Sequence, residues 1–170
     1  MDYMELIKDR FSCKKFSDKP VEKEKLMAIL EAGRVAPTAK NIQPQHVYVM
    51  QSPEALAIVD KVTPCRYGAP LVLVMTYDKD VVFKYPGEKY DSGSEDVSIA
   101  ATHMLLAAAH LEVDTCWLNY FDPEKVAAEM KLPENEVVVL MLDVGYIAPG
   151  MKPTPTHLKR KELSELVTYL

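Results

Sequence analysis

Arg10, Lys14 and Lys15, interleaved with Phe11 and Phe16 in DRFSCKKFSDKPV, lie near one end of this chain, and Lys159, Arg160 and Lys161 lie near the other. Each run alone reads as a solvated, basic helix end or as a grip on something anionic. Brought together, the two would form a compact cationic pocket on a chain of net charge −5. Guanidinium and backbone N–H groups there could hold one phosphate. Other constellations carry less chemistry. His103 and His110 sit seven apart without the closer spacing and carboxylate partner of a two-histidine metal site, so no metal is expected. His46 and His157 stand alone, and no G-x-S-x-G elbow or Walker loop supports hydrolysis or ATP use. Cys116, ahead of Trp117 in an apolar stretch, reads as a small core residue rather than a nucleophile.

The composition limits what such a pocket could serve. A pI near 5.4 argues against a general nucleic-acid binder, which needs a broad basic face. With 48% hydrophobic and 26% charged residues, the 170 residues suit a single globular domain over 1–170. Cys13, Cys65 and Cys116 are odd in number and form no C-x-x-C pair, which fits a reducing cytoplasm. The longest apolar runs, around 104–109 and 137–142, are too short to cross a bilayer, so a cytoplasmic protein with no membrane partner is expected.

The elements that must position these residues alternate between helix and strand. A short helix over 2–10 ends at the first basic run, and a second begins at Glu22 and ends before Pro37. The segment APTAKNIQPQ reads as an extended loop before the strand HVYVM. Ser52 caps a helix over 53–62, and Leu71 to Tyr77 is a strand covered on both faces. Residues 78–93 form the only long irregular segment expected, a candidate lid. The helix over 94–111 is apolar on nearly every face and is expected to be buried almost all round. The strand TCWL, a helix capped by Asp122 and opened by Pro123, a strand over 137–146 and a proline-broken tail complete an α+β sandwich with a helical layer on the sheet.

Arg10-Phe11-Ser12-Cys13-Lys14-Lys15-Phe16 resembles the opening R-x-S-x-R/K-x-F signature of the FMN-dependent nitroreductase superfamily. AGRVAPTAKNIQPQHVYV is similar to that family's A-P-S-x-x-N-x-Q-P-W loop, and SIAATHMLLAAAHL, DTCWLNYFDPEKV, VVVLMLDVGY and RKELSELV resemble its later blocks in the same order. The resemblance implies a nitroreductase-like α+β fold with a central, mostly antiparallel sheet flanked by helices. It implies an intertwined homodimer with two FMN sites at the subunit interface. Carried over by position, Arg10, Ser12 and the backbone at Phe11 contact the FMN phosphate together with Arg160, and Lys14 lies near the ribityl chain or the pyrimidine edge. Phe16 packs inward. Pro37, Thr38, Ala39 and Asn41 resemble the loop that reaches the flavin of the partner subunit, shaped by Gln43 and Pro44. Leu118, Asn119 and Tyr120 match the place where a main-chain N–H approaches flavin N5.

The implied activity is a ping-pong oxidoreduction. NAD(P)H, as co-substrate, gives a hydride to flavin N5 and leaves, and a nitroaromatic, quinone or similar small-molecule oxidant is then reduced without a side-chain acid. The chain departs from the family pattern at Gln45-His46, in place of tryptophan, at Glu112 and Asp114, in place of glycines, and at Lys14, in place of arginine. A short excursion between helices leaves 78–93 as the lid, with Phe83, Tyr85 and Tyr90 as substrate contacts. The alternatives are a same-fold reductive dehalogenase, a non-catalytic FMN-binding dimer that stores or senses flavin, and a colourless interaction module.

Overall fold

The computed structural model describes residues 2–170. Helices α1 (Tyr3–Asp9), α2 (Lys23–Arg34), α3 (Pro53–Val62), α4 (Gly93–His110), α5 (Pro123–Met130) and α6 (Leu163–Leu166) surround strands β1 (Gln45–Met50), β2 (Leu71–Asp78), β3 (Asp114–Leu118) and β4 (Glu136–Gly145). The sheet has four strands in the order β1-β2-β4-β3, and every neighbouring pair is antiparallel. The expected α+β fold is borne out.

Local chemistry sets the helix starts. The Ser52 hydroxyl accepts the Ala55 N–H at 3.2 Å with Pro53 at the first helical position, and Asp122 Oδ1 accepts the Glu124 N–H at 3.0 Å ahead of α5. Alternation along the central strands builds two cores. Leu71, Leu73 and Met75 of β2 join Leu140 and Leu142 of β4 beneath α2 and α4. Val72 and Val74 join Met141 on the opposite face, beneath α3 and α5. This explains why β2 reads as an unbroken apolar run, since seven of its eight residues are buried. At its end the register shifts, because Met75 pairs with Leu140 and Thr76 with Val138, leaving Val139 as a bulge. Helices α2 and α4 approach closely at Gly33, where a Cβ would stand 2.9 Å from Met104 Cγ.

Three expectations are corrected. Within a single chain helix α4 is not buried all round, because Ser94, Glu95, Ile99, Thr102, His103 and His110 are exposed and leave open a side whose burial would need a second copy. Its alanine-rich sequence gives too little contrast to separate a buried face from an uncovered one. Residues 78–93 are not the only long irregular segment, since 10–22 also lacks helix and strand and is held by isolated bridges instead. APTAKNIQPQ is not simply extended, because Ala39–Asn41 forms a 3-10 turn with Lys40 at φ 51°.

Candidate functional site

The two basic runs meet. Arg10, Phe11, Ser12 and Lys14 from one end of the chain and Thr154, Thr156, His157 and Arg160 from the other line a single cavity of about 260 Å³. The first wall is fixed by backbone hydrogen bonds to the sheet and its loops. Ser12 forms a parallel bridge with Thr115 of β3, Cys13 N–H donates to the Thr115 carbonyl at 2.9 Å, and Phe16 N–H donates to the Tyr67 carbonyl at 3.0 Å. Within this wall Cys13 and Phe16 are buried while Ser12 and Lys14 are exposed, so the polar side chains are left facing outward. Phe16 packs inward as expected, at 6% exposure.

The second wall is folded back by its own contacts. His157 Nε2 lies 3.1 Å from the Lys8 carbonyl, which only accepts, so this nitrogen carries the proton. Its ring meets the Phe11 ring edge-on with centroids 6.1 Å apart. Arg160 Nη1 donates to the Lys159 carbonyl at 2.8 Å and also to the His157 carbonyl. Burial lowers the pKa of the Arg10 guanidinium from its ordinary value, and the neighbouring Arg160 lowers it further. Arginine stays charged all the same, so two guanidinium groups and the Lys14 ammonium share a cavity with no acidic side chain among its lining residues. Such an arrangement fits a phosphate ester, whose oxygens would meet guanidinium, ammonium and hydroxyl donors together. Thr154, Thr156 and His157 were missed in the sequence, where a proline-broken tail carries no periodicity to place them.

The other expected flavin contacts lie outside that cavity. Pro37, Thr38, Ala39, Asn41 and Gln43 belong to the turn between α2 and β1, where Lys40, Asn41 and Gln43 all adopt left-handed backbone near φ 51°, 56° and 57°. Gln43 N–H donates to the Thr38 hydroxyl at 3.0 Å, and Ala39 N–H donates to Asp96 Oδ1 at 2.8 Å. Leu118 ends β3 and is buried. The Asn119 side chain is occupied within the chain, its Oδ1 accepting from Trp117 Nε1 and its Nδ2 donating to the bulged Val139 carbonyl at 3.1 Å. Tyr120 is 75% exposed, and its carbonyl accepts the Thr63 hydroxyl at 2.8 Å.

The 78–93 segment is ordered by its own hydrogen bonds. Lys84 bridges Asp91, and Tyr85 N–H donates to the Tyr90 carbonyl at 3.0 Å. Phe83 and Tyr85 pack edge to face at 5.7 Å, the Tyr85 hydroxyl bonds the Glu95 carboxylate, and Tyr90 projects at 74% exposure. Lys40 Nζ stands 4.9 Å from the Phe83 ring centroid, so this segment touches the 38–43 turn. His103 and His110 lie on the open side of α4, and no group of three His, Cys, Asp or Glu side chains suited to a metal gathers among the described residues.

The family departures have local consequences. Glu112, expected as a departure from the family pattern, adopts φ 57°, and Asp114 Oδ2 accepts the Ile147 N–H at 2.8 Å. His46 Nδ1 lies 2.8 Å from Glu136 Oε1, which also accepts the Tyr48 hydroxyl at 2.9 Å, while Glu136 Oε2 accepts the Thr76 hydroxyl at 2.6 Å. Burial pushes Glu136 up, but these hydrogen bonds outweigh it and hold the carboxyl below its ordinary value. Deeper in the sheet, Asp143 of β4 is fully buried and its two oxygens have no hydrogen-bond partner. Desolvation pushes it up to about 9, against the opposing pull of Arg66.

The Nitroreductase family matches residues 7–67 and 64–146 of the chain. A nitroreductase family protein of known structure from Clostridium difficile 630 is 36% identical and superposes with a TM-score of 0.92 over 99% of this chain and 98% of that one. A structure described as an FMN-dependent nitroreductase from Clostridium difficile R20291 is 26% identical, with a TM-score of 0.78 over 98% of each chain. A protein from Methanothermobacter thermautotrophicus, provisionally named NADH dehydrogenase/NAD(P)H nitroreductase, is 30% identical over 94% of this chain and 88% of its own length. Profile, relatives and fold agree with the resemblance first read from RFSCKKF and its following blocks, and the chain belongs to the nitroreductase family.

Proposed function

We propose that the chain is an FMN-dependent oxidoreductase that takes electrons from NAD(P)H and passes them to a nitroaromatic, a quinone or a similar small acceptor. The observation that carries this reading is the cavity shared by Arg10 and Arg160, two uncompensated guanidinium groups brought together from opposite ends of the chain. Relatives named as NAD(P)H nitroreductases and an FMN-dependent nitroreductase of the same fold support it. Bound FMN would supply two-electron hydride chemistry that no side chain can provide.

The protein's part is then binding and orientation. Arg10, Arg160, Ser12 and Lys14 hold the phosphate end, and the Phe11 backbone lies alongside them. The 118–120 segment offers main-chain N–H groups at the end of β3, with Asn119 already spent on bracing it. The 37–43 turn closes against the flavin of a second copy in a homodimer. Two patches support that dimer: the open side of α4 with Ile99 at 38% exposure, and the tail leucines Leu163 and Leu166 at 69% and 65%. Phe83, Tyr85 and Tyr90 form the acceptor side of the site. None of the helices among the described residues is long and apolar enough to cross a membrane.

The test is direct. Purified protein saturated with FMN should be yellow, dimeric by light scattering, and bleached anaerobically by NADH or NADPH, with colour restored by a quinone. A yellow dimer that neither nicotinamide bleaches would instead be a flavin store or sensor. Colourless protein that takes up no added FMN would end both readings.

A further inference from the structure

We propose that Asp96 is a positioning residue, and that its one buried carboxylate locks the 38–43 turn and the 78–93 segment to the start of α4 as a single unit. This rests on the assignment of that turn to the flavin. Asp96 is 2% exposed. Its Oδ1 accepts the Ala39 N–H at 2.8 Å and its Oδ2 accepts the Ser92 hydroxyl at 2.7 Å. Ser92 is itself 1% exposed, and its N–H donates to the Phe83 carbonyl at 3.0 Å. The circuit closes outside the core, where Lys40 Nζ stands over the Phe83 ring at 4.9 Å. One acid thus reaches the turn through Ala39, the substrate segment through Ser92 and Phe83, and the sheet through α4.

The turn needs such an anchor. Lys40, Asn41 and Gln43 hold left-handed backbone, which disfavours L-residues at every such position. Apart from Asp96, the hydrogen bonds inside 38–43 are local: Asn41 N–H to the Thr38 carbonyl at 2.9 Å, Ile42 N–H to the Ala39 carbonyl at 3.1 Å, and Gln43 N–H to the Thr38 hydroxyl at 3.0 Å. They shape the turn but do not aim it. The Ala39–Asp96 bond aims it, and because the same carboxylate reaches Phe83 through Ser92, the flavin side and the acceptor side of the site are set together.

The experiment compares wild type, Asp96→Ala, Asp96→Asn, Ser92→Ala and Arg10→Ala by FMN titration, acceptor kinetics and amide hydrogen exchange at Ala39. Asp96→Ala should weaken FMN binding about tenfold, the scale of one lost charge-assisted hydrogen bond. It should also raise the acceptor KM more than it lowers kcat and release the Ala39 amide to exchange. Asp96→Asn keeps an acceptor for that amide and should restore protection and FMN affinity. Arg10→Ala should weaken FMN binding while leaving Ala39 protected. If Asp96→Ala fails to fold by circular dichroism, Ser92→Ala carries the test, with partial loss of Ala39 protection and of FMN affinity expected. Unchanged Ala39 protection or unchanged FMN affinity in folded Asp96→Ala, or in Ser92→Ala where Asp96→Ala does not fold, with Arg10→Ala still weakened, overturns the proposal alone. Wild type that binds no FMN overturns the flavin assignment and this proposal with it.

Discussion

Two regions of the molecule hold ionisable groups with no ion-pair partner, and they resolve the problem in opposite ways. At the chain ends Arg10 and Arg160 lie close enough to perturb each other, yet the cavity is open and arginine cannot be neutralised, so the charge persists as binding capacity. Within the sheet Asp143 is sealed from water with no donor on either oxygen, and it keeps its proton instead. Unpaired charge at a rim invites a ligand. Unpaired charge in a core is removed by protonation, and stability carries the penalty wherever the pH would demand ionisation.

Changing Asp143 should produce the largest effect and would break the comparison if it did not. Its folded-state pKa is raised, so the stability it permits is fully present below pH about 4 and is lost as the pH rises toward about 9. Asp143→Asn should flatten that alkaline decline and gain several kcal/mol at pH 9, seen as a higher melting temperature than wild type. A wild-type protein equally stable at pH 5 and pH 9 would show that the acid finds a partner. At the rim, Arg10→Ala should weaken FMN binding by about 1.5 to 3 kcal/mol, the range for hydrogen bonds to charged groups. Flavin retained through dialysis as in wild type would remove the phosphate assignment.

Glu136 offers a third case, an acid that is partly buried but satisfied. Its folded pKa is lowered, so its contribution is present above the ordinary carboxylate range and is lost as the pH falls through the lowered value. Glu136→Gln should destabilise the protein at pH 7 by about 1 kcal/mol and by less at pH 3, measured by urea unfolding at both. Deleting 83–90 should raise the Michaelis constant of at least one oxidant, and constants unchanged for every oxidant tested would remove the lid. The smallest effect belongs to Glu112, a non-glycine residue held at φ 57°. Glu112→Gly should stabilise by about 0.5 kcal/mol, the relieved strain less the backbone freedom glycine loses on folding, and destabilisation would show that the Glu112 side chain compensates the strain.

These regions were unequally legible in the sequence. Helices α3 and α5 announced themselves through Ser52-Pro53 and Asp122-Pro123, because capping is encoded within four residues. The buried strand β2 was equally plain from Leu71 to Tyr77. The cationic cavity was different: the two basic runs suggested a pocket only if the chain ends met, Arg10 and Arg160 raise no local signal that they do, and the resemblance supplied that link. Thr154, Thr156 and His157 stayed hidden because the tail folds by tertiary contact, as the His157–Lys8 bond shows. The 3-10 turn at Ala39 was missed because Lys40 and Asn41 take a backbone usually left to glycine, held there by packing and hydrogen bonds rather than by propensity. The open side of α4 was read as buried because alanine suits either environment.

The walls of the cation cavity are separated by nearly the full length of the chain, and this orders events during synthesis. Residues 10–14 emerge first but have nothing to face until 154–160 leave the ribosome and dock against Lys8 and Phe11. The proposed phosphate grip is therefore a late product of folding, and a protease cutting between 146 and 154 would separate one wall from the four-stranded sheet that holds the other.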